Sequence, residues 1–346
     1  MTLQVCPRKE PGRPKIVLGG MEFGRRLNYD DSKSITVDFI KKGYKEIDVA
    51  YMYQGGKSEK YLGLMEDSLA EYDVKFATKV NPRYLYGLSN KGINVQFHTS
   101  LDRMSIKKCD ILYLHFPEYH RPIFDILKSI DDLYKEGLFE RFGLSNFSAW
   151  QVAEIYYLCD KHNFIKPSVY QGLYNAISRD IEMELMPCLR RFGIKFYAYN
   201  IIAGGILSGK HNFTKDTNQI AQGRFNKQGW AKIYRERFWN QSTFDAVKMI
   251  QDAITEVYGD KLTILQASIM WCMNHSVLGA GDGVIMGPSK LTYYEQNLVA
   301  LENKEPLHAK VLNAFEQAWK YRRGKVPSYV GNHWTPEYSL PVPSKL

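Results

Sequence analysis

The sequence predicts an α/β fold, a parallel (β/α)8 TIM barrel, and three observations predict it. Apolar runs of strand length alternate with helix-like stretches along the chain, the pattern of a parallel sheet with crossover helices. The alternation recurs eight times, which reads as a closed barrel rather than a doubly wound sheet. No composition break or linker divides the 346 residues, so residues 1–346 are expected to form one barrel domain.

The elements follow in order. The first strand is expected at 15–18, where Ile16, Val17 and Leu18 form a short apolar run. A helix at 34–42 stops at Gly43, because a left-handed helix cap is cheap only for glycine. The second strand, 44–49, leads to a helix at 59–66, and the third strand is expected at 75–78. The fourth, 111–115, precedes a helix at 123–136 that ends before Gly137. The fifth, 141–144, is followed by a helix at 150–161, and the sixth, 168–171, by one at 179–191 that runs out at Gly193. The seventh strand is 195–199 and the eighth 284–287, with helices expected at 262–275 and 293–301. About 60 residues separate Tyr199 from the helix at 262, far beyond ordinary loop lengths, so a functional long loop after the seventh strand is expected. Residues 323–346 are expected to form a C-terminal arm or tail, since the stretch from Arg322 on carries four prolines and little periodicity.

Composition narrows the function classes. With 45% hydrophobic and 24% charged residues the chain is ordinary globular material. No run approaches the roughly 18 apolar residues of a membrane span, and Met1 to Glu10 lacks a signal-like apolar stretch. Cys6, Cys109, Cys159, Cys188 and Cys272 are an odd, scattered set without a C-x-x-C pair, so reduced thiols in a cytoplasmic protein and no metal site are expected. The net charge of +9 is concentrated between Gly204 and Asn240, where Lys210, Lys215, Arg224, Lys227, Lys232, Arg235 and Arg237 face only Asp216 and Glu236. The plain reading is a solvated loop, and the sharper one a positive lip over an anionic ligand. No nucleic-acid-binding signature accompanies the charge, so no nucleic-acid partner is expected.

In a barrel of this kind the active site lies at the C-terminal ends of the strands. Asp48 ends the second strand, Tyr53 follows in its loop, Lys79 ends the third and His115 the fourth. Singly a strand-end Asp is ordinarily a cap, a Tyr near a rim a packed ring, and a His a satisfied imidazole. Together they suit carbonyl reduction. An unperturbed phenol, pKa about 10, keeps its proton at neutral pH and can give it to a developing alkoxide. Lys79 would stabilise the phenolate and lower the Tyr53 pKa, Asp48 would hold Lys79, and His115 would orient the carbonyl. No side chain supplies hydride, so a cofactor is required.

The stretch Asp48-Val-Ala-Tyr-Met-Tyr53-Gln-Gly-Gly-Lys-Ser-Glu59, with Leu62-Gly63 after it, resembles the aldo-keto reductase motif that contains the family's Asp and Tyr. Thr78-Lys79 and Leu112-Tyr-Leu-His115 match its Lys and His segments. The resemblance implies that Asp48, Tyr53, Lys79 and His115 form the family's tetrad, with Tyr53 as proton donor. It implies further that Ser145 and Asn146 hold a nicotinamide carboxamide, that Gln171 is a neighbouring contact, and that Tyr199 is the ring on which the nicotinamide stacks.

Longer matches at 187–193, 196–200, 203–210, 223–225, 230–239, 287–290 and 295–298 resemble the aflatoxin-aldehyde reductase branch, which includes succinic semialdehyde reductases. The similarity covers nearly the whole chain. It implies NADPH as cofactor and adds Met21, Asn200, Ala203, Gly204, Gly205, Leu207, Gly209, Lys210, Arg224, Gly287, Ser289, Lys290, Tyr293, Gln296 and Asn297 to the binding residues. The small residues from Ala203 let backbone amides approach a pyrophosphate. Ser289 and Lys290 are the expected seat of the adenosine 2′-phosphate, with Ser289 also a plausible helix cap. Tyr293 departs from the pattern, since the wider superfamily has arginine there and this branch glutamine.

On the substrate side the resemblance points to His115, Trp230, Tyr234 and Arg237, the last as the receiver of an acidic aldehyde's carboxylate. Mammalian members of the branch end in an arginine near Tyr329, whereas this chain runs on, so one carboxylate contact is missing. The expected activity is reduction of aldehydes, with ketones and dicarbonyls as further substrates, and the expected assembly is a homodimer. The alternative is a nicotinamide-binding regulatory protein resembling potassium-channel β-subunits. The tetrad does not separate the two, but the match at 230–239 favours the reductase.

Overall fold

The computed structural model describes residues 11–84, 86–220, 223–226, 230–325, 327 and 329. Eight parallel strands close a barrel in sequence order: β1 (Lys15–Gly19), β2 (Glu46–Asp48), β3 (Lys75–Val80), β4 (Cys109–Leu114), β5 (Phe139–Ser145), β6 (Pro167–Leu173), β7 (Lys195–Tyr199) and β8 (Gly283–Met286). The closing pair aligns Lys15 with Gly283 and Leu18 with Met286. All eight expected strands are present, each within a few residues of its expected bounds. The barrel interior is packed by Val17, Ala77, Ile111, Tyr113, Val169, Tyr197 and Ile285, and a larger apolar core fills the space between the strands and the surrounding helices. Tyr113 lies against the backbone of Gly143, its partner on β5, where a Cβ would collide with the ring.

Local chemistry sets the helix ends. Asn28 caps the helix Tyr29–Lys41 by accepting from Asp31 N at 2.8 Å, which starts it several residues before the expected position. Ser148 and Gln151 form a capping box at the start of Ala149–His162. The helix expected at 59–66 divides into Lys57–Gly63 and Glu66–Leu69. The one expected at 179–191 opens as a 3-10 turn, Asp180–Glu182, before Leu185–Arg191, and the one at 262–275 is Ile264–Met270 continued by a π turn, Trp271–His275.

The long segment after β7 contains structure that its length alone did not predict. It holds the helices Trp230–Phe238 and Gln241–Tyr258. Ala246, Val247, Ile250, Ala253 and Ile254 give the second a buried stripe at helical spacing. It packs on the helix Ala309–Arg322. Arg322, fully buried, staples these parts together: Nε donates to Thr243 Oγ1 at 2.9 Å, Nη2 to the carbonyl of Arg237 at 2.6 Å, and Nη1 to Ser178 Oγ at 3.1 Å and to the carbonyl of Ile177. The expected arm at 323–346 lies largely outside the described residues. Among the described residues no helix is long and apolar enough to cross a membrane, and no cluster of His, Cys, Asp or Glu could hold a metal ion.

Candidate active site

Asp48 is the last residue of β2, and the chain beyond it turns over the barrel mouth through Tyr53 and the left-handed residues Gln54, Gly55 and Gly56. At Gly56 a side chain would meet the Arg103 guanidinium, so glycine is required by both backbone and space. This turn places Tyr53 above the end of β3. Lys79, with no exposed surface, extends Nζ to Asp48 Oδ1 at 2.6 Å, to the carbonyl of Val49 at 2.6 Å and to Tyr53 Oη at 3.4 Å. The second oxygen of Asp48 accepts from Gln171 Nε2 at 2.8 Å. The ammonium is thus fully partnered, and the carboxylate is held from both sides.

Burial raises the Asp48 pKa and lowers that of Lys79, and their contact opposes both shifts. Burial also pushes Tyr53 well above the usual phenol value, reinforced by the negative charge of Asp48 and by Tyr234 and opposed by Arg224. The Tyr53 pKa is thus raised, where the sequence reading expected Lys79 to lower it. Desolvation of the phenolate outweighs the opposing charge of Arg224, and Tyr53 keeps its proton.

His115, 7% exposed, meets the Tyr53 ring edge-on at 5.9 Å between centroids and stacks on Phe116 at 4.4 Å. Burial, then the cations Lys79 and Arg83, hold its pKa well below the ordinary value, so the imidazole is neutral. The four expected residues therefore converge on one rim.

The nicotinamide-side candidates adjoin them. Asn146, at a positive φ of 65°, donates to the carbonyl of His115 and to Ser145 Oγ, both at 3.0 Å, and accepts from Tyr199 Oη at 2.8 Å. Gln171 is engaged by Asp48, so its amide nitrogen supports the tetrad directly. Asn200 accepts from Gly204 N at 2.9 Å and donates to Tyr234 Oη at 3.3 Å, fixing the turn in which Ala203, Gly204 and Gly205 all have positive φ. Gly209 adds another left-handed position, while the Leu207 side chain is buried in the core. The Met21 carbonyl accepts from Gln54 Nε2 at 3.3 Å. Gly287 and Lys290 are exposed just after β8, where Ser289 is half-buried; in the helix Leu291–Glu302 Gln296 is exposed and Asn297 buried. Lys210 Nζ lies 3.3 Å from Tyr293 Oη and 4.5 Å from its ring, and Lys290 Nζ lies 5.6 Å from the same ring. Ser289 is not the helix cap: the N-cap of Leu291–Glu302 is Lys290, with no side-chain cap bond.

The substrate-side residues are more dispersed. Tyr234 Oη accepts from Arg224 Nη1 at 3.0 Å, and Arg224 Nη2 pairs with the buried Glu22 at 2.6 Å, tying the long segment to the loop after β1. Arg237 is 6% exposed and lines a cavity of about 10 Å3 with Leu173, Ser178, Asp180, Arg322 and Tyr329. That is room for one water. The side chain of Trp230 is outside the described set. Sequence reasoning missed Glu22 and Asn81. Glu22 lies three residues past the end of β1, and Asn81 directly follows β3.

The aldo/keto reductase family model matches residues 15–320. The chain is 42% identical over 337 residues to aflatoxin B1 aldehyde reductase member 2 of Rattus norvegicus, across 95% of this chain and 92% of the rat protein. It is 42% identical over 322 residues to aflatoxin B1 aldehyde reductase member 4 of Homo sapiens and 41% identical over 322 residues to human aldo-keto reductase family 7 member A3. In both cases 92% of this chain and 97% of the human protein are covered.

Proposed function

The chain belongs to the aldo/keto reductase family, in its aflatoxin aldehyde reductase branch, and from that membership we propose that it reduces aldehydes to alcohols with NADPH, Tyr53 giving the proton. The observation that carries the reading is the convergence of Tyr53, Lys79, Asp48 and His115 at one rim, with Lys79 Nζ bonded to Asp48 and 3.4 Å from the Tyr53 hydroxyl.

The residues present fit a nicotinamide dinucleotide phosphate. The left-handed turn at Ala203, Gly204 and Gly205 keeps side chains away from a path for phosphates, and the exposed Lys210 and Lys290 flank Tyr293 as a cationic pair for a terminal phosphate. Ser145, Asn146 and Tyr199 would hold the nicotinamide end beside the tetrad. Bound there, the cofactor supplies the hydride.

The chain's own groups do the rest. His115, neutral, donates a hydrogen bond to the carbonyl oxygen and orients it. Tyr53, kept protonated by burial, passes its proton to that oxygen as negative charge develops there. Lys79 steadies the phenolate left behind, and Asp48 with Gln171 holds Lys79 in place. The reading also takes NADPH over NADH, a cytoplasmic protein with reduced thiols and a homodimer. Among the described residues Cys109, Cys159 and Cys188 form no disulfide, in keeping with the thiol part of it.

The test is NADPH consumption with 4-nitrobenzaldehyde, phenanthrenequinone and succinic semialdehyde, for the wild type and Tyr53→Phe. Wild-type turnover that collapses in the variant while NADPH still quenches protein fluorescence is the expected result. Near-wild-type turnover in Tyr53→Phe overturns the assignment of the acid.

A further inference from the structure

We propose that Asn81 is a positioning residue for carbonyl reduction: its side-chain amide fixes His115 in the tautomer that carries the proton on Nε2, the nitrogen left to donate to a substrate carbonyl. This rests on the reading of His115 given above and adds the group that sets its hydrogen-bonding polarity.

Asn81 follows β3 directly, two residues beyond Lys79, and has no exposed surface. Its backbone is clamped by the buried Gln96 of the helix Asn90–Met104. Asn81 N donates to Gln96 Oε1 at 2.8 Å, and Gln96 Nε2 donates back to the carbonyl of Asn81 at 3.1 Å. The side chain therefore projects from a fixed point.

The oxygen and nitrogen of a carboxamide are alike in shape, so its orientation must come from its partners. Here one partner is unambiguous. The backbone N–H of Arg83 can only donate, and it lies 2.9 Å from Asn81 Oδ1. The amide nitrogen is thereby turned the other way, where Met52 Sδ lies at 2.9 Å and His115 Nδ1 at 3.5 Å. An amide NH2 group has hydrogens to give and accepts none, so the imidazole nitrogen facing it must present its lone pair. A neutral imidazole with a bare Nδ1 carries its hydrogen on Nε2. The opposite tautomer would set two N–H groups against each other at this contact.

The remaining surroundings of His115 agree with a neutral ring. Lys79 from β3 and Arg83 from the loop beyond it are both cationic, the edge of Tyr53 and the face of Phe116 complete the contacts, and Asp48 is already engaged by Lys79 and Gln171. The neighbouring cations oppose an imidazolium, and Asn81 then selects which neutral form is present.

The experiment is long-range proton–nitrogen NMR of protein labelled with 15N-histidine, paired with kinetics on Asn81→Leu and Asn81→Asp. Wild-type His115 is expected to show a bare Nδ1 and a protonated Nε2. Asn81→Leu removes the donor at similar volume, and should mix the tautomers and lower kcat by on the order of tenfold or more, as loss of a group that orients a site residue does. NADPH titration by fluorescence should be unchanged. Asn81→Asp replaces a donor by an acceptor, draws the proton to Nδ1 and raises the His115 pKa. Its turnover should then be retained at low pH, where the imidazolium still carries Nε2–H, and be lost as pH rises through that pKa, while the wild type is level over the same range. A wild-type His115 protonated on Nδ1 overturns the proposal, and so do variants whose tautomer and pH profile match the wild type. The wild-type spectrum decides the orientation even where a variant fails to fold. It also decides the Asn81 contact separately from the reductase reading, which fails on its own if the wild type reduces no aldehyde.

Discussion

Lys79→Met isolates the electrostatics of the site. The substitution keeps an apolar stem of similar length but removes the ammonium 2.6 Å from Asp48 Oδ1, leaving a carboxylate that is 4% exposed with Gln171 as its remaining side-chain donor. Breaking a buried ion pair by removing one partner typically costs about 3–5 kcal/mol, because an uncompensated charge stays buried. The cost depends on pH, and its sign follows from Asp48. Burial already raises this carboxyl, and in the variant the opposing pull of Lys79 is gone, so its folded pKa climbs further above the unfolded value of about 3.9. A carboxyl raised on folding is harmless while protonated and costs about 1.4 kcal/mol per pH unit above its unfolded pKa, until the folded pKa is passed. The stability deficit of Lys79→Met should therefore widen between pH 5 and pH 7, by up to about 2.7 kcal/mol. The assay is urea unfolding of the wild type, Lys79→Met and Asp48→Asn/Lys79→Met at both pH values. The double variant carries no buried charge at this position, so its deficit should be independent of pH and smaller than that of the single variant at pH 7. A single-variant deficit that is equal at the two pH values, or a double variant no more stable at pH 7, refutes the account.

Three further outcomes follow from the same structure. Lys210→Met/Lys290→Met should weaken NADPH relative to NADH by on the order of ten- to a hundredfold in a fluorescence titration, the worth of charge-assisted contacts to a phosphate; equal losses for both cofactors would place the 2′-phosphate elsewhere. Tyr113→Phe removes a hydroxyl that is buried inside the barrel without a hydrogen-bond partner among the described residues, so thermal unfolding should show stability unchanged or raised by about 1 kcal/mol, and a clear loss would reveal a partner for that hydroxyl. Because burial holds the Tyr53 pKa well up, aldehyde reduction should stay level across neutral pH while alcohol oxidation, which needs the phenolate, climbs as pH rises. An oxidation rate already level at pH 7 would contradict that shift.

What could be read in the sequence was what depends on local pattern and on the barrel rule that chemistry gathers at strand ends. Asp48, Tyr53, Lys79 and His115 were legible because three consecutive strands deliver them to one rim, and the structure brings them together there. The helix Gln241–Tyr258 was not anticipated, although Ala246, Val247, Ile250, Ala253 and Ile254 recur at helical spacing, because the segment was judged by its length. The sign of the Tyr53 shift was beyond the sequence for another reason. Proximity to Lys79 could be inferred from strand order, but desolvation depends on how completely the fold covers the ring, and the charges that add to or oppose it come from residues as distant as Tyr234 and Arg224. Ser289 was a reasonable cap by residue type, yet the cap falls one residue later, at Lys290.

The basic surplus between Gly204 and Asn240 shows why local charge is a poor guide to a local field. Arg224 points to Glu22, some 200 positions earlier in the chain, Arg235 donates to the carbonyl of Phe225 at 2.5 Å, Lys232 lies 4.0 Å from Glu236, and Arg237 is buried beside Asp180 and Arg322. Ion pairs and carbonyl contacts formed by tertiary folding absorb cations that a window of sequence counts as unopposed. Lys210 is different, because its neighbours are a tyrosine and, across that ring, a second lysine from the start of another helix. Two ammonium groups converging on one half-buried aromatic repel each other unless an anion is between them or water screens them. The proposed phosphate contact therefore falls to Lys210 and Lys290 about Tyr293, while Arg224, Arg235 and Arg237 hold the long excursion after β7 against the fold.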